Sequence, residues 1–396
     1  MARATRWATR LALVSSVAFC AWVTTGGARS SAQGVRRTLD QQLRVAIVIP
    51  KDGPFSIHNR LLANGATIAA REIDAPVRLQ LSVVRVRPTA SPGRTVRRLV
   101  RRSIRVLILP CNVDLQVSLA RAAAKAGLVT LSPCNPNSKI ATTLPRYWPT
   151  GSTGSAEVEQ LVFYARSTLK RAKTVYLLSD ARSWYARQMT DELRAFARRD
   201  KFRIVGQASV SNGPRGVARL AERIRKVAPA IVFAAVPSPR VESIISGLRQ
   251  RHVASAFFVT DGMDAGIDFA RYREGPYNSS IEDVVFATFG FPRPASAQFF
   301  RDYAAAYGKK VSSSFPGLGY ETIHVLETAA RQAGKLTPAR LDSSFSRGFT
   351  VKGVALEDIN YQGHGHRQPL TYVGLAEVIR DGYVPLFVSQ AGHPTG

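Results

Sequence analysis

From Arg44 onward, short apolar runs rich in leucine and β-branched residues alternate with amphipathic stretches. Residues 45–49, 79–84, 106–109 and 128–131 read as strands, and 59–73, 95–102 and 115–126 carry the three-to-four-residue apolar spacing of helices. Around 147–155 the pattern breaks into Pro, Thr, Gly and Ser. A second series follows, with helices over 156–169, 185–199, 215–227 and 240–250 and strands over 174–178, 203–208, 230–235 and 256–259. Strict alternation of this kind predicts two parallel sheets, each covered by helices. The last third adds a strand over 284–289 and helices over 295–307 and 317–333. There Gln362-Gly363-His364-Gly365 reads as a hairpin turn, and strands 370–379 and 384–388 flank an Asp381-Gly382 turn.

Upstream of this pattern, Arg3, Arg6 and Arg10 precede an apolar run over 11–23, too short to span a bilayer comfortably. Ser30 and Ala32 supply the small residues of a cleavage site, so residues 1–32 read as a signal peptide and the chain as a periplasmic one. Cys20 raises a lipid anchor as the alternative. Phe19, where such a signal needs a small residue, and the apolar run continuing past Cys20 argue against it.

With 396 residues and 45% hydrophobic content, the chain can build two ordinary cores and does not fit a disordered class. The net charge is +28, and removing the four arginines of residues 1–32 leaves +24, a field that attracts polyanions. The basic residues are scattered, with a cluster over 94–105, and show neither aromatic interleaving nor a nucleic-acid motif. They read as solvated faces, with no nucleic acid as partner. Catalytic signatures are missing: there is no Gly-x-Ser-x-Gly elbow, no phosphate-binding Gly-Lys-Ser/Thr loop and no Cys-x-x-Cys pair. His364 and His366 sit beside Arg367 in a Gly-rich turn and read as exposed residues, not metal ligands. Neither an enzyme nor a cofactor is expected.

Several segments carry a resemblance. Pro50-Lys51-Asp52-Gly53-Pro54-Phe55 is similar to a Pro-Leu-Thr-Gly-Pro-Phe loop, and Asn64-Gly65-Ala66 with Ala69, Glu72 and Ile73 to the helix after it. Ala126-Gly127-Leu128-Val129-Thr130-Leu131-Ser132-Pro133 matches Ala-Gly-Val-Pro-Leu-Ile-Ser-Pro, and Tyr320-Glu321-Thr322 a Tyr-Asp-Ala helix. In this order, over residues 44–386, the chain resembles the type I periplasmic solute-binding proteins of ABC transporters, which include leucine/isoleucine/valine-binding proteins and amide receptors. The resemblance implies an α/β fold of two Rossmann-like lobes joined by three hinge crossovers, with a ligand cleft between them. Residues 40–150 and 286–340 would form the first lobe, and 151–285 and 341–390 the second. It implies a monomeric receptor that passes a small molecule to an ABC permease in the inner membrane. A sensor of the same fold coupled to a signalling partner, or a binder of a larger apolar or aromatic ligand, is the alternative.

Ligands of open parallel sheets lie beyond the carboxyl ends of the strands, where loops meet helix N-termini. On the first lobe this selects the loop after 45–49, whose Phe55 and His58 fall where the resembled family commonly places aromatic cleft contacts, unless His58 merely caps its helix. It also selects Asn112, Val113 and Asp114 in one loop and Asn135 in another. Cys111 and Cys134 leave adjacent strands at one edge, which puts their Cα atoms about 5 to 6 Å apart, within disulfide reach; two buried thiols are the other reading. On the second lobe, Tyr185 resembles the Tyr of the family's Tyr-Gly pair, beside Trp184, which closes over the ligand or packs into the core. Ser238 follows Pro237 on the rim. Asp261-Gly262 matches an acidic-Gly step that in amino-acid receptors pairs with the ligand ammonium, or else is a turn. Where those receptors present hydroxyls, this chain has Val113 or Asp114 and Pro136. Amides and aromatic acids therefore stand beside amino acids as candidate ligands.

Overall fold

The computed structural model describes residues 41–391 apart from Pro54, Ala75 and the segments 135–137, 170–172, 181–182, 211–213, 265–280, 309–312, 354–355 and 380–381. The expected signal peptide, Asn135 and Asp381 lie outside the described residues.

The first sheet grows from alternating elements: β1 (Gln41–Pro50), α1 (Ser56–Glu72), β2 (Val77–Val86), α2 (Pro92–Arg101), β3 (Val106–Ile108), α3 (Val113–Lys125), β4 (Val129–Ser132), the short α4 (Ser138–Thr143) and β5 (Tyr147–Pro149). All five strands run parallel in the order β2-β1-β3-β4-β5. Central β1 is apolar on both faces because helices cover both. Val45, Ile47 and Ile49 face one hydrophobic cluster, and Ala46 and Val48 face another. β5 corrects the reading of 147–155 as a break. Tyr147 pairs with Thr130 and Trp148 with Leu131, a strand too short for a period to register in the sequence. Trp148 stacks on Phe345 at 5.0 Å, and its Nε1 donates to Asp342 Oδ1 at 2.9 Å.

The second sheet is fed by α5 (Gly154–Thr168), β6 (Thr174–Ser179), α6 (Trp184–Arg199), β7 (Arg203–Ser209), α7 (Pro214–Val227), β8 (Ile231–Ala235), α8 (Arg240–Arg249), β9 (Ala256–Val259) and β10 (Val284–Thr288). The chain then returns to the first sheet as α9 (Ala297–Tyr307), α10 (Phe315–Ala333) and α11 (Pro338–Arg347), with the two-stranded antiparallel β11 (Phe349–Val351) and β12 (Ile359–Tyr361). It ends in the second sheet as β13 (Thr371–Ile379) and β14 (Gly382–Ala391), giving the order β14-β13-β10-β9-β8-β6-β7 with β13 antiparallel to both neighbours. The chain thus crosses between the sheets after β5, after β10 and after β12. Leu341, Phe345, Val351, Ile359 and Tyr361, which the resemblance put in the second lobe, have their side chains in the first sheet's core. No helix among the described residues is long and apolar enough to cross a membrane.

Two glycines bring α1 and α10 into backbone contact. A Cβ at Gly65 would lie 1.8 Å from Pro316 O, and one at Gly319 2.0 Å from Leu62 O. The bridge between Cys111 and Cys134 is present, with Cα atoms 5.2 Å apart, and ties the ends of β3 and β4. Closing a loop with a sequence separation of 23 stabilises by roughly 3 kcal/mol in the chain-entropy picture. The double variant Cys111→Ser, Cys134→Ser is therefore expected to melt several degrees lower in scanning calorimetry. An unchanged melting temperature would show that the bridge constrains nothing.

Candidate functional site

The first wall of the site is the turn from β1 into α1. Phe55 stands at the helix N-cap with φ 62° and ψ 9°, a left-handed conformation that costs a non-glycine residue roughly 1–2 kcal/mol. Packing of the buried ring offsets that strain: its centroid lies 5.0 Å from those of both His58 and Tyr185, edge-on to the tyrosine at 77°. Asn59 fixes the turn beneath it. Its Nδ2 donates to Phe55 O at 2.7 Å, and its Oδ1 accepts from Cys111 N at 2.8 Å, so the loops after β1 and β3 are tied together beside the disulfide.

His58 is fully buried and reaches across to the other sheet. Its Nε2 donates to Gly262 O at 3.0 Å, and its ring lies 4.7 Å from that of Phe315 at the start of α10. Nε2 carrying the proton leaves Nδ1 as an acceptor, without a partner among the described residues. Burial lowers the imidazole pKa to about 4, against the opposing pull of the Gly262 carbonyl, so His58 is neutral at neutral pH.

On the second lobe, Ser183 caps α6, accepting from Ala186 N at 3.3 Å, and sets Tyr185 on the buried side of its first turn. The Tyr185 hydroxyl donates to Asp261 Oδ1 and lies 2.6 Å from Thr260 Oγ1, which can donate to it in turn. Behind them stands Glu157 of α5, whose Oε2 accepts from Asp261 N at 3.2 Å. Burial, then the charge of Asp261, raises the Glu157 pKa well above the usual carboxylate range. Burial also pushes Asp261 up to about 6, opposed by its hydrogen bonds to Tyr185 and Glu157. No cation among the described residues contributes to either shift.

A third carboxyl, Asp264, spans the seam. It accepts from Ser314 N at 3.1 Å, from Ser314 Oγ and from Thr288 Oγ1 at 2.7 Å, satisfying the N-terminus of α10. Burial nonetheless pushes it up to about 7.

Phe55, His58, Val113, Tyr185 and Asp261 therefore converge. Val113 is buried in the same cluster as Phe55, Tyr185, Val158 and Leu161, and Trp184 wedges partly buried between the clusters of the two sheets. Asn112 serves as the α3 cap, its Oδ1 accepting from Leu115 N at 3.2 Å. Asp114 is exposed on the outer side of that helix. Ser238 donates to Glu242 Oε1 and lies 3.3 Å from Met263 O, bracing the turn after β8. Where the sequence suggests a gap, these described side chains meet in direct contact. Glu157, Asn59, Asp264 and Phe315 went unrecognised in the sequence. Only Glu157 left a signal, as an acid on the core-facing side of a helix beside Val158 and Leu161.

A model of the periplasmic binding protein family matches residues 42–382. No curated protein sequence matches the chain. Among solved structures, a leucine-binding protein from Thermotoga maritima superposes with a TM-score of 0.76 at 16% identity, covering 87% of this chain and 98% of that one. The branched-chain amino acid substrate-binding protein of Streptococcus pneumoniae in complex with isoleucine gives 0.74 at 15%, covering 89% and 99%. An ABC-transporter solute-binding protein from Rhodopseudomonas palustris in complex with 3,4-dihydroxybenzoic acid gives 0.75 at 15%, also covering 89% and 99%. At such identities the likeness is one of fold, the two-lobed α/β architecture of type I binding proteins. With nearly all of its described length inside one family model, the chain belongs to the periplasmic binding protein family.

Proposed function

We propose that the chain is an exported solute receptor that clasps a small organic molecule bearing an ammonium or amide donor between its lobes and delivers it to an ABC permease. The observation that carries this reading is the buried Tyr185–Asp261–Glu157 chain facing Phe55 and His58 across the seam. A buried carboxylate is costly unless a cation or strong donor meets it, and no described residue supplies a cation here. A ligand ammonium would provide the missing charge and draw the Asp261 pKa down, while the rings of Phe55 and Tyr185 cover its apolar body. A benzoate-like anion would face the same carboxyls and be repelled. The first sheet with α9, α10 and α11 acts as one jaw and the second sheet as the other. A ligand that prefers the closed arrangement shifts the population toward it.

Melting temperatures of the purified chain with amino acids, carboxamides and benzoates test the reading. A ligand at 100 times its Kd adds about 2.7 kcal/mol of stability. An amine or amide is expected to raise the melting temperature, and Asp261→Asn or Tyr185→Phe to remove the rise without loss of fold. A shift given only by benzoates would overturn the ligand class, and one retained in Asp261→Asn would overturn the site. No shift with any solute would refute the receptor reading.

A further inference from the structure

The solute site does not account for the charge on the opposite flank of the first lobe. Between Asp74 and Asp114 the chain carries nine arginines and no acidic residue. Four of them, Arg94, Arg97, Arg98 and Arg101, fall on α2 at i, i+3, i+4 and i+7, which sets them in one stripe along the helix. All four are exposed, and none forms an ion pair with a described residue. Arg102 and Arg105 continue the exposed basic surface beyond the helix.

Such a stripe works against the helix that bears it. Like charges three and four residues apart repel, and Arg94 stands in a first turn without an acid, where the helix dipole disfavours a cation. Some arginines elsewhere have partners within the fold: Arg166 meets Asp200, Arg199 meets Glu159, Arg240 meets Asp180 and Arg331 meets Glu327. On α2 the counter-charge must come from outside. The helix is held by Ser91 at its cap and by Val96 and Leu99, 2% and 1% exposed, on its inner side. It presents the stripe as a rigid row.

We propose that this face docks on an anionic phospholipid surface. Guanidinium forks match phosphate oxygens in pairs, and a row of them along one helix suits a plane of headgroups. An apolar side chain shares the face: Val100 is 42% exposed beside the stripe, and arginines with an adjoining apolar residue are the combination an interfacial segment uses to enter the headgroup boundary. Single-stranded nucleic acid asks for aromatic platforms, and residues 75–113 contain no Phe, Tyr or Trp. The proposal is independent of the identity of the solute.

The test is flotation of the full chain with vesicles of phosphatidylcholine, with and without phosphatidylglycerol. The difference between the two lipid mixtures cancels any contribution of the apolar run at residues 11–23. Wild type is expected to float with anionic vesicles and to release as salt rises. The variant R94Q/R97Q/R98Q/R101Q is expected to lose partitioning by roughly 100- to 1,000-fold. It is also expected to melt no lower than wild type, since internal repulsion has been relieved. The control R215Q/R219Q/R223Q/K226Q removes the same charge from α7 and is expected to keep most of the binding. Equal loss in the two variants would assign the attraction to net charge and overturn the proposal. So would absence of anionic-vesicle binding, or binding to duplex DNA without binding to vesicles.

Discussion

Gly65→Ala and Gly319→Ala are each expected to lower stability by roughly 3 kcal/mol, at the upper end of overpacking costs, and to weaken solute binding along with it. The reason is backbone against backbone. A methyl at Gly65 would sit 1.8 Å from Pro316 O and 2.6 Å from its carbonyl carbon; one at Gly319 would sit 2.0 Å from Leu62 O and 3.1 Å from Ala66 N. Peptide groups cannot rotate aside as a lysine tip can, so α1 and α10 must separate. The N-terminus of α1 carries Phe55 and His58, and that of α10 carries Ser314 and Phe315, so parting the helices pulls apart the His58–Phe315 contact and the Asp264 cap together. Urea denaturation reads the stability loss and calorimetric titration the binding loss. An unchanged denaturation midpoint would mean that the two helices are not held at that distance.

A second large effect is expected on pH. Folding stability should fall as pH rises from the ordinary aspartate value of 3.8 toward about 7, because Asp264 stays protonated in the folded protein while its unfolded counterpart ionises. Across that window the slope from this one group is about 1.4 kcal/mol per pH unit. Asp261, raised to about 6, and Glu157, raised well above its usual range, act in the same sense. His58 acts in the opposite sense between about 4 and its ordinary 6.5, since the folded protein keeps it neutral, but one group works against three. Asp264→Asn and Glu157→Gln should each flatten the curve measured by urea denaturation across this range. A stability that climbs with pH through the same window would show that these carboxyls are solvated and not locked in the seam.

How much of this was legible in the sequence depended on range. β1, β8 and β9 announce themselves because strands buried on both faces must be apolar without interruption, and Val45, Ile47 and Ala46 satisfy opposite clusters. β5 and α11 did not. Three residues, Tyr147–Pro149, are too few for a pattern, and α11 begins at a proline amid polar residues. In the site, Tyr185 and Asp261 were picked out one at a time by resemblance. Their contact lies 76 positions apart and that of Asp261 with Glu157 104 apart, distances at which no local pattern speaks. Helical phase separates Val113 from Asp114, which the sequence leaves side by side. With Asn112 as cap, the next residue turns inward and the one after it outward. Described side chains meet across the seam because Phe55, in its left-handed turn, swings its ring toward Tyr185.

The order in which the chain supplies its parts has a further consequence. Leu43, Val45 and Ile47 emerge first, yet the side chains that cover them, Ile323, Leu326, Leu341 and Phe345, arrive some three hundred positions later by the numbering. While the ribosome is still working, the leading half has α1 over that face but lacks the rest of its cover. A polypeptide built this way completes its first core only once its tail appears, because the contacts that finish it are among the most distant in the sequence.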